Sequence, residues 1–286
     1  MKSFNNKVAA ISGAGSGIGK ALALRLAELG ASIAINDINP DSLANTQAAL
    51  KSNGTDVFSS VVDTSIREEV YAFAENVIEH FGRVDIVINN AGVALGKVTV
   101  DSVTYEDFEW IMGINFWGMV YGTKAFLPHL KKQKEGSIVN LSSMLGLVAV
   151  PYQAPYVTTK FAIRGFTETL RMELLLEAPH VVATTVHPGG IKTNIAASSK
   201  LPDTVDPKVH KEESIHFEKF FRNTAAMAAN VILKGIRKKK TRVLIGNDAK
   251  LPDFLSRLFP QWHSKIIAGF MRRMIVKYGI DPPKNS

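Results

Sequence analysis

The sequence predicts an α/β fold built on a doubly wound parallel sheet. Three observations carry this. Strand-length apolar runs alternate with segments of helical period, the early runs are apolar almost throughout, and no linker, low-complexity tract or repeat divides the 286 residues. Strand then helix, repeated, implies parallel strands joined by helical crossovers. Uninterrupted apolar strands belong to a sheet covered on both faces. Sheets of this kind bind ligands at the carboxyl ends of their strands.

Strands are expected at 8–12, 32–36, 57–62, 84–89, 137–141, 181–187 and 242–245, each a short apolar run. Amphipathic stretches fill the gaps at 17–29, 40–52, 66–81, 105–132, 155–177 and 224–237. Two further segments with apolar residues at helical spacing follow, 251–259 and 262–278. Residues 1–250 therefore read as one domain and 251–286 as a basic, amphipathic helical extension of it.

Composition narrows the setting. With 46% hydrophobic residues there is ample material for a core, and the absence of cysteine excludes a disulfide framework. Residues 1–7 are polar and lack the layout of a signal peptide. No stretch approaches ~18 uninterrupted apolar residues, so the expectation is a cytoplasmic protein. The net charge of +8 is unevenly spread: residues 234–286 hold 13 Lys/Arg against 3 Asp/Glu, which leaves the first 233 residues at −2.

The turn after the first strand reads Ser12-Gly13-Ala14-Gly15-Ser16-Gly17-Ile18-Gly19 and opens a helix. Glycines let the backbone turn tightly and approach a pyrophosphate, and the helix N-terminus supplies N–H donors and a favourable dipole. The spacing is Gly-x-x-x-Gly-x-Gly. Ile18 stands where the common dinucleotide pattern has its third glycine, and Ala14 and Ala21 rule out a P-loop. Asp37 ends the second strand, where a carboxylate accepts hydrogen bonds from ribose hydroxyls and repels a 2′-phosphate. That favours NAD(H) over NADP(H); the alternative is an aspartate that caps the helix near Pro40. Asp63 follows the third strand, and Asn89-Asn90-Ala91-Gly92 follows the fourth, either to bond a cofactor, to brace the neighbouring strand or as a plain turn.

Tyr156 and Lys160 are four residues apart, with Ser143 thirteen residues upstream of the tyrosine. On a helix this spacing sets an ammonium beside a phenol, and a neighbouring cation favours the phenolate. The pair is thus a device for acid–base chemistry, or else a solvated helix face.

In order and spacing these features resemble the short-chain dehydrogenase/reductase family over residues 5–195: the glycine turn, Asp63, Asn89 to Gly92, Asn115, Ser143, Tyr156-x-x-x-Lys160 and Pro188-Gly189. The resemblance implies a single-domain Rossmann-type fold with about seven strands. It implies that Tyr156 is the proton donor and acceptor, that Lys160 holds the nicotinamide ribose and depresses the tyrosine pKa, and that Ser143 rather than Ser142 bonds the substrate oxygen. Asn115 would position a water beside Lys160. The cofactor would lie against Gly13, Gly15, Ser16, Gly17, Ile18, Gly19, Asp37, Asp63, Asn90, Ala91 and Gly92. Its nicotinamide end would meet Pro188, Gly189, Ile191 and Thr193. A segment at about 190–223 would close over substrate.

The function expected is hydride transfer between a nicotinamide cofactor and a ketone or secondary alcohol, with no metal. Leu145, Val148, Val150, Pro151, Tyr152 and Phe217 are candidate walls of an apolar pocket, or simply core. The competing readings are a silent cofactor-binding scaffold and a membrane-peripheral reductase of lipid-like substrates. Family members commonly form homodimers and homotetramers. In the tail, Ile266, Phe270 and Met274, and Ile267, Met271, Ile275 and Tyr278, recur at helical spacing with Lys265, Arg272, Arg273 and Lys277 beside them. Such helices pack on a neighbouring subunit, cover the site or lie on an anionic membrane; no nucleic-acid motif accompanies them.

Overall fold

A computed structural model describes residues 1–193, 195, 199–201, 221 and 223–278, with side chains described as far as 273. Seven strands form one parallel sheet: β1 (Val8–Ser12), β2 (Ser32–Asp37), β3 (Val57–Val61), β4 (Ile86–Asn89), β5 (Gly136–Leu141), β6 (Val181–Pro188) and β9 (Arg242–Ile245). Their order is β3-β2-β1-β4-β5-β6-β9. A short parallel pair, β7 (Ile191–Lys192) and β8 (Asn223–Thr224), lies apart from it. Every expected strand is present, its ends moved by no more than two residues.

Helices cover both faces, as the all-apolar strands require. Ala9, Ile11, Ile33 and Ile35 meet α1 (Gly17–Glu28), α2 (Pro40–Ser52) and α7 (Ala225–Arg237) on one side. Ala10, Ala34, Val87 and Ile138 meet α3 (Arg67–Phe81), α5 (Gly118–Lys131) and α6 (Ala154–Glu177) on the other. Alternate residues of one strand thus feed two separate cores, each fully buried Leu or Ile contributing roughly 2 kcal/mol of transfer free energy. The remaining helices are α4 (Tyr105–Met112), α8 (Asn247–Leu258) and α9 (His263–Tyr278). In α9 the side chains of Met274, Ile275, Lys277 and Tyr278 lie outside the described residues.

One sequence expectation changes, and one alternative falls away. The single helix over 105–132 is split, because Gly113–Trp117 winds as a π-helix between α4 and α5. The physical reason sits at Asn115, whose Oδ1 accepts from Val93 N at 2.8 Å and whose Nδ2 donates to Val93 O at 3.0 Å. A side-chain amide tied to the segment that follows β4 favours the wider turn, and such insertions cluster at functional sites. The cap of α2 is Asn39, which accepts from Ser42 N at 2.9 Å with Pro40 following; Asp37 does not serve that helix.

Strand order reverses between β1 and β4, so the turns that leave these two strands lie side by side at the carboxyl edge. Deeper in, β4 and β5 are bolted to the helices beneath. Asn89 Nδ2 donates to Thr123 Oγ1 of α5 at 3.0 Å and to Asn140 Oδ1 at 2.8 Å, and Asn140 Nδ2 donates to Thr167 Oγ1 of α6 at 2.9 Å. All four residues are buried, so each bond satisfies groups that water cannot reach.

Candidate active site

The site is assembled from the β1 and β4 turns on one side and from β5, α6 and β6 on the other. Gly13 adopts φ +64°, open to glycine at little cost, and its turn is pinned by the neighbouring strand. Asn90 Nδ2 donates to Ser12 O at 2.9 Å and Gly13 O at 3.0 Å, while Ser12 Oγ accepts from Asn90 N and Ala91 N, each at 3.1 Å. Of the alternatives for Asn89 to Gly92, bracing of the neighbour is therefore observed. At Gly19 a Cβ would stand 2.2 Å from Gly13 O, so only glycine lets α1 begin this close to the turn. Ile18 packs on the core.

The N-terminus of α1 has the properties of an anion site. Ser16 makes no side-chain cap, no acidic residue occupies the first turn, and the first amides of any helix lack intrahelical acceptors. Thr193 lies across it, Cγ2 being 3.3 Å from where a Cβ on Gly17 would stand. Asp37 Oδ2 accepts from Gly15 N at 2.8 Å and Oδ1 from Asn39 N at 3.0 Å, which fixes the carboxylate at the rim of the turn. Asp63 Oδ1 accepts from Ser65 N and Oγ at 2.9 and 2.7 Å, a turn leading into α3.

Across the cleft, Ser143, Tyr156, Lys160 and Asn115 come together. The Ser143 hydroxyl acts on the Tyr156 phenol, lowering its pKa, and Lys160 Nζ lies 5.3 Å from the Tyr156 ring centre. Lys160 is buried, donates to Leu141 O at 3.2 Å, and sits with Asn115 against Gly92. Asn115 Nδ2 also reaches Thr159 Oγ1 at 3.2 Å. Ser142, buried, donates to Lys160 O at 2.7 Å and so ties β5 to α6, which leaves Ser143 as the serine facing the tyrosine.

Burial sets the acid–base balance of this cluster. The half-buried Tyr156 phenol is pushed up to about 12 by desolvation, against a smaller lowering by the Ser143 hydrogen bond. Desolvation takes the Lys160 ammonium down to about 8. The spacing argument that Lys160 draws the phenol toward neutrality thus leaves out burial: in the protein alone, loss of hydration sets the direction of the shift.

Sequence reasoning missed two supports. His187, in β6, is buried, and its Nδ1 meets Ser143 O at 2.9 Å, leaving Nε2 without a partner. It was legible only as the last residue of an apolar run. Desolvation holds its imidazole down at about 4. Because the folded value lies below the unfolded one, near 6.5, His187 withdraws stability as pH falls from about 6.5 to about 4, by about 3 kcal/mol in all. His187→Gln should flatten that part of a thermal-melting pH profile; an unchanged profile would show that other groups govern acid unfolding. The second support is Asp248 of α8, whose Oδ2 accepts from Gly190 N at 2.6 Å and so holds the turn after Pro188 and Gly189. Ile191 is buried next to it.

On the substrate side, Val148 is core, whereas Leu145, Val150 and Tyr152 are half-buried and Pro151 is exposed. Lys200 Nζ pairs with Asp107 at 2.6 Å, and the Lys200 backbone carbonyl accepts from Gly96 N at 2.8 Å. Ala196, Ala197, Ser198, Phe217 and Arg222 lie outside the described residues.

This geometry has close counterparts. A family model described as short chain dehydrogenase matches residues 7–203. SadH of Mycobacterium tuberculosis, an oxidoreductase by name, is 44% identical over 94% of this chain and 96% of its own. Human estradiol 17-beta-dehydrogenase 11 is 32% identical over 97% of this chain and 86% of its own. The crystal structure of a short chain dehydrogenase/reductase from Burkholderia phymatum in complex with NAD superposes with a TM-score of 0.78 at 26% identity, covering 100% and 99% of the two chains. The chain belongs to the short-chain dehydrogenase family and is an oxidoreductase acting on CH–OH and C=O groups.

Proposed function

We propose that the protein interconverts an apolar secondary alcohol and its ketone with NAD(H), using Tyr156 as the acid–base group. The observation that carries this reading is the gathering of Ser143, Tyr156 and buried Lys160, with the serine acting on the phenol and the lysine beside its ring. When bound, the cofactor supplies or accepts the hydride, and the protein supplies orientation and proton handling. The Ser143 and Tyr156 hydroxyls are placed to grip one substrate oxygen between them. In reduction Tyr156 Oη gives its proton to that oxygen; in oxidation it takes the proton back. Lys160 holds positive charge next to the phenol, and Asn115 fixes the neighbouring turn through Val93 and Thr159. Half-buried Leu145, Val150 and Tyr152 favour an apolar substrate, in keeping with the steroid substrate named in one relative.

The choice of NAD(H) rests on Asp37. Its carboxylate, held by two backbone amides at the rim of the glycine turn, would repel a 2′-phosphate. Asp37→Ser should shift the ratio of kcat/KM for NADPH over NADH upward by roughly tenfold or more, as loss of one repulsion of about 1.4 kcal/mol requires. Steady-state rates at 340 nm with both cofactors check this. An unchanged ratio would remove Asp37 from cofactor choice without touching the role of Tyr156.

A further inference from the structure

Helix α8 is built inside out. Its inward side carries Ala249, buried, and Asp253, which pairs with Arg242 of β9 and with Arg257. Leu251, Phe254 and Leu258, spaced three and four residues apart along one stripe, are instead 54–60% exposed. The next helix repeats the pattern: Trp262, Ile266 and Phe270, four residues apart, are 50–64% exposed. An amphipathic helix normally turns such a stripe to the core. Two in succession that turn it to solvent make a contiguous stretch of chain whose apolar surface has no partner among the described residues.

The charges around the stripes identify what covers them. Lys250, Arg257, Lys265, Arg272 and Arg273 are exposed on these helices. Both acidic residues of the described segment are spent inward, Asp248 on Gly190 N and Asp253 on its arginines. Lys265 Nζ lies 5.6 Å from the Trp262 ring centre, the aromatic-plus-cation pairing suited to a boundary between headgroups and acyl chains. A second copy docked face to face would set these cations against themselves. No helix among the described residues is long and apolar enough to cross a membrane, so the surface fits the plane of a bilayer rather than its interior.

We propose that α8 and α9 dock the protein onto anionic lipid surfaces, the two apolar stripes entering the acyl boundary and the cations meeting the headgroups. Because Asp248 at the start of α8 holds the Gly190 turn, the docked segment is continuous with the candidate site. This assignment is independent of which substrate or cofactor the enzyme prefers.

Flotation of the full chain with vesicles tests it, comparing phosphatidylcholine alone with phosphatidylcholine containing about one-third phosphatidylglycerol. The protein should float with the anionic vesicles only, and raising salt from about 50 to about 500 mM should release it in part. Phe254→Asp with Phe270→Asp should cut the bound fraction roughly tenfold or more by removing apolar insertion, and Lys265→Glu with Arg272→Glu should do so by removing headgroup attraction. Both double variants alter exposed positions outside the catalytic cluster, so melting temperature and turnover of a soluble alcohol should hold. No flotation of the parent chain, or flotation unaffected by the phenylalanine changes, overturns the proposal. So does a parent oligomer in sedimentation velocity that the phenylalanine variant dissociates, which would make a second copy the occupant.

Discussion

Tyr156→Phe should lower turnover by about 10²–10⁴-fold, the range that one positioned acid–base group supplies, while leaving NADH affinity within about twofold. The change deletes one oxygen. In the proposed mechanism it removes the proton destined for the substrate oxygen and the hydroxyl on which Ser143 acts, yet keeps the ring. The phenol is pushed up to about 12 by burial, so at neutral pH the tyrosine carries its proton and is ready for the reductive direction. Oxidation needs the phenolate and should therefore accelerate with rising pH in the parent enzyme, a dependence that the variant should lack. Fluorescence titration with NADH alongside initial rates separates binding from chemistry. Turnover near the parent value would exclude Tyr156 as the proton carrier.

The second large effect separates function from stability. Lys160→Met should abolish most turnover and weaken NADH binding by roughly tenfold, as loss of one charge-assisted contact implies, yet the fold should become more stable. Lys160 is 4% exposed and its ammonium is taken down to about 8 by desolvation, against 10.5 for the free side chain. A lysine whose folded value lies below its unfolded value destabilises the fold fully at neutral pH, by about 3 kcal/mol here. That deficit is relieved as pH climbs from about 8 to about 10.5, where the folded chain has shed the proton and the unfolded chain still holds it. A methionine of similar length needs no hydration, so melting temperature should rise at neutral pH and the upward slope above about 8 should vanish. A merely structural lysine would lose stability on the same replacement. Such opposition between stability and activity is the usual sign of a residue kept for chemistry.

Much of this was legible in the chain itself. The strands β1, β2, β4, β5 and β6 read true because each is buried on both faces, and a residue type that must be apolar on both sides leaves a plain trace in sequence. The glycine turn read true because a positive φ at Gly13 and the close approach of Gly19 leave few alternatives to glycine. The π-turn at Asn115 was not legible: one inserted residue leaves helical periodicity nearly intact, and its cause is a bond to Val93, 22 residues away. His187 and Asp248 were hidden for a like reason. Each acts on a backbone group of a different element, and a backbone atom has no letter in the sequence. The direction of the Tyr156 shift was missed because spacing reports a neighbour's charge, whereas burial comes from the whole surrounding fold.

The bolts that fasten β4 and β5 to α5 and α6 are the amides of Asn89 and Asn140 and the hydroxyls of Thr123 and Thr167. None of these groups gains or loses a proton anywhere between about pH 4 and pH 12. In the proposed mechanism a frame of neutral dipoles thus carries a centre whose own members trade protons, and the frame is indifferent to that traffic. Distances between Ser143, Tyr156 and Lys160 would in this way be insulated from any charge state that the proposed reaction creates.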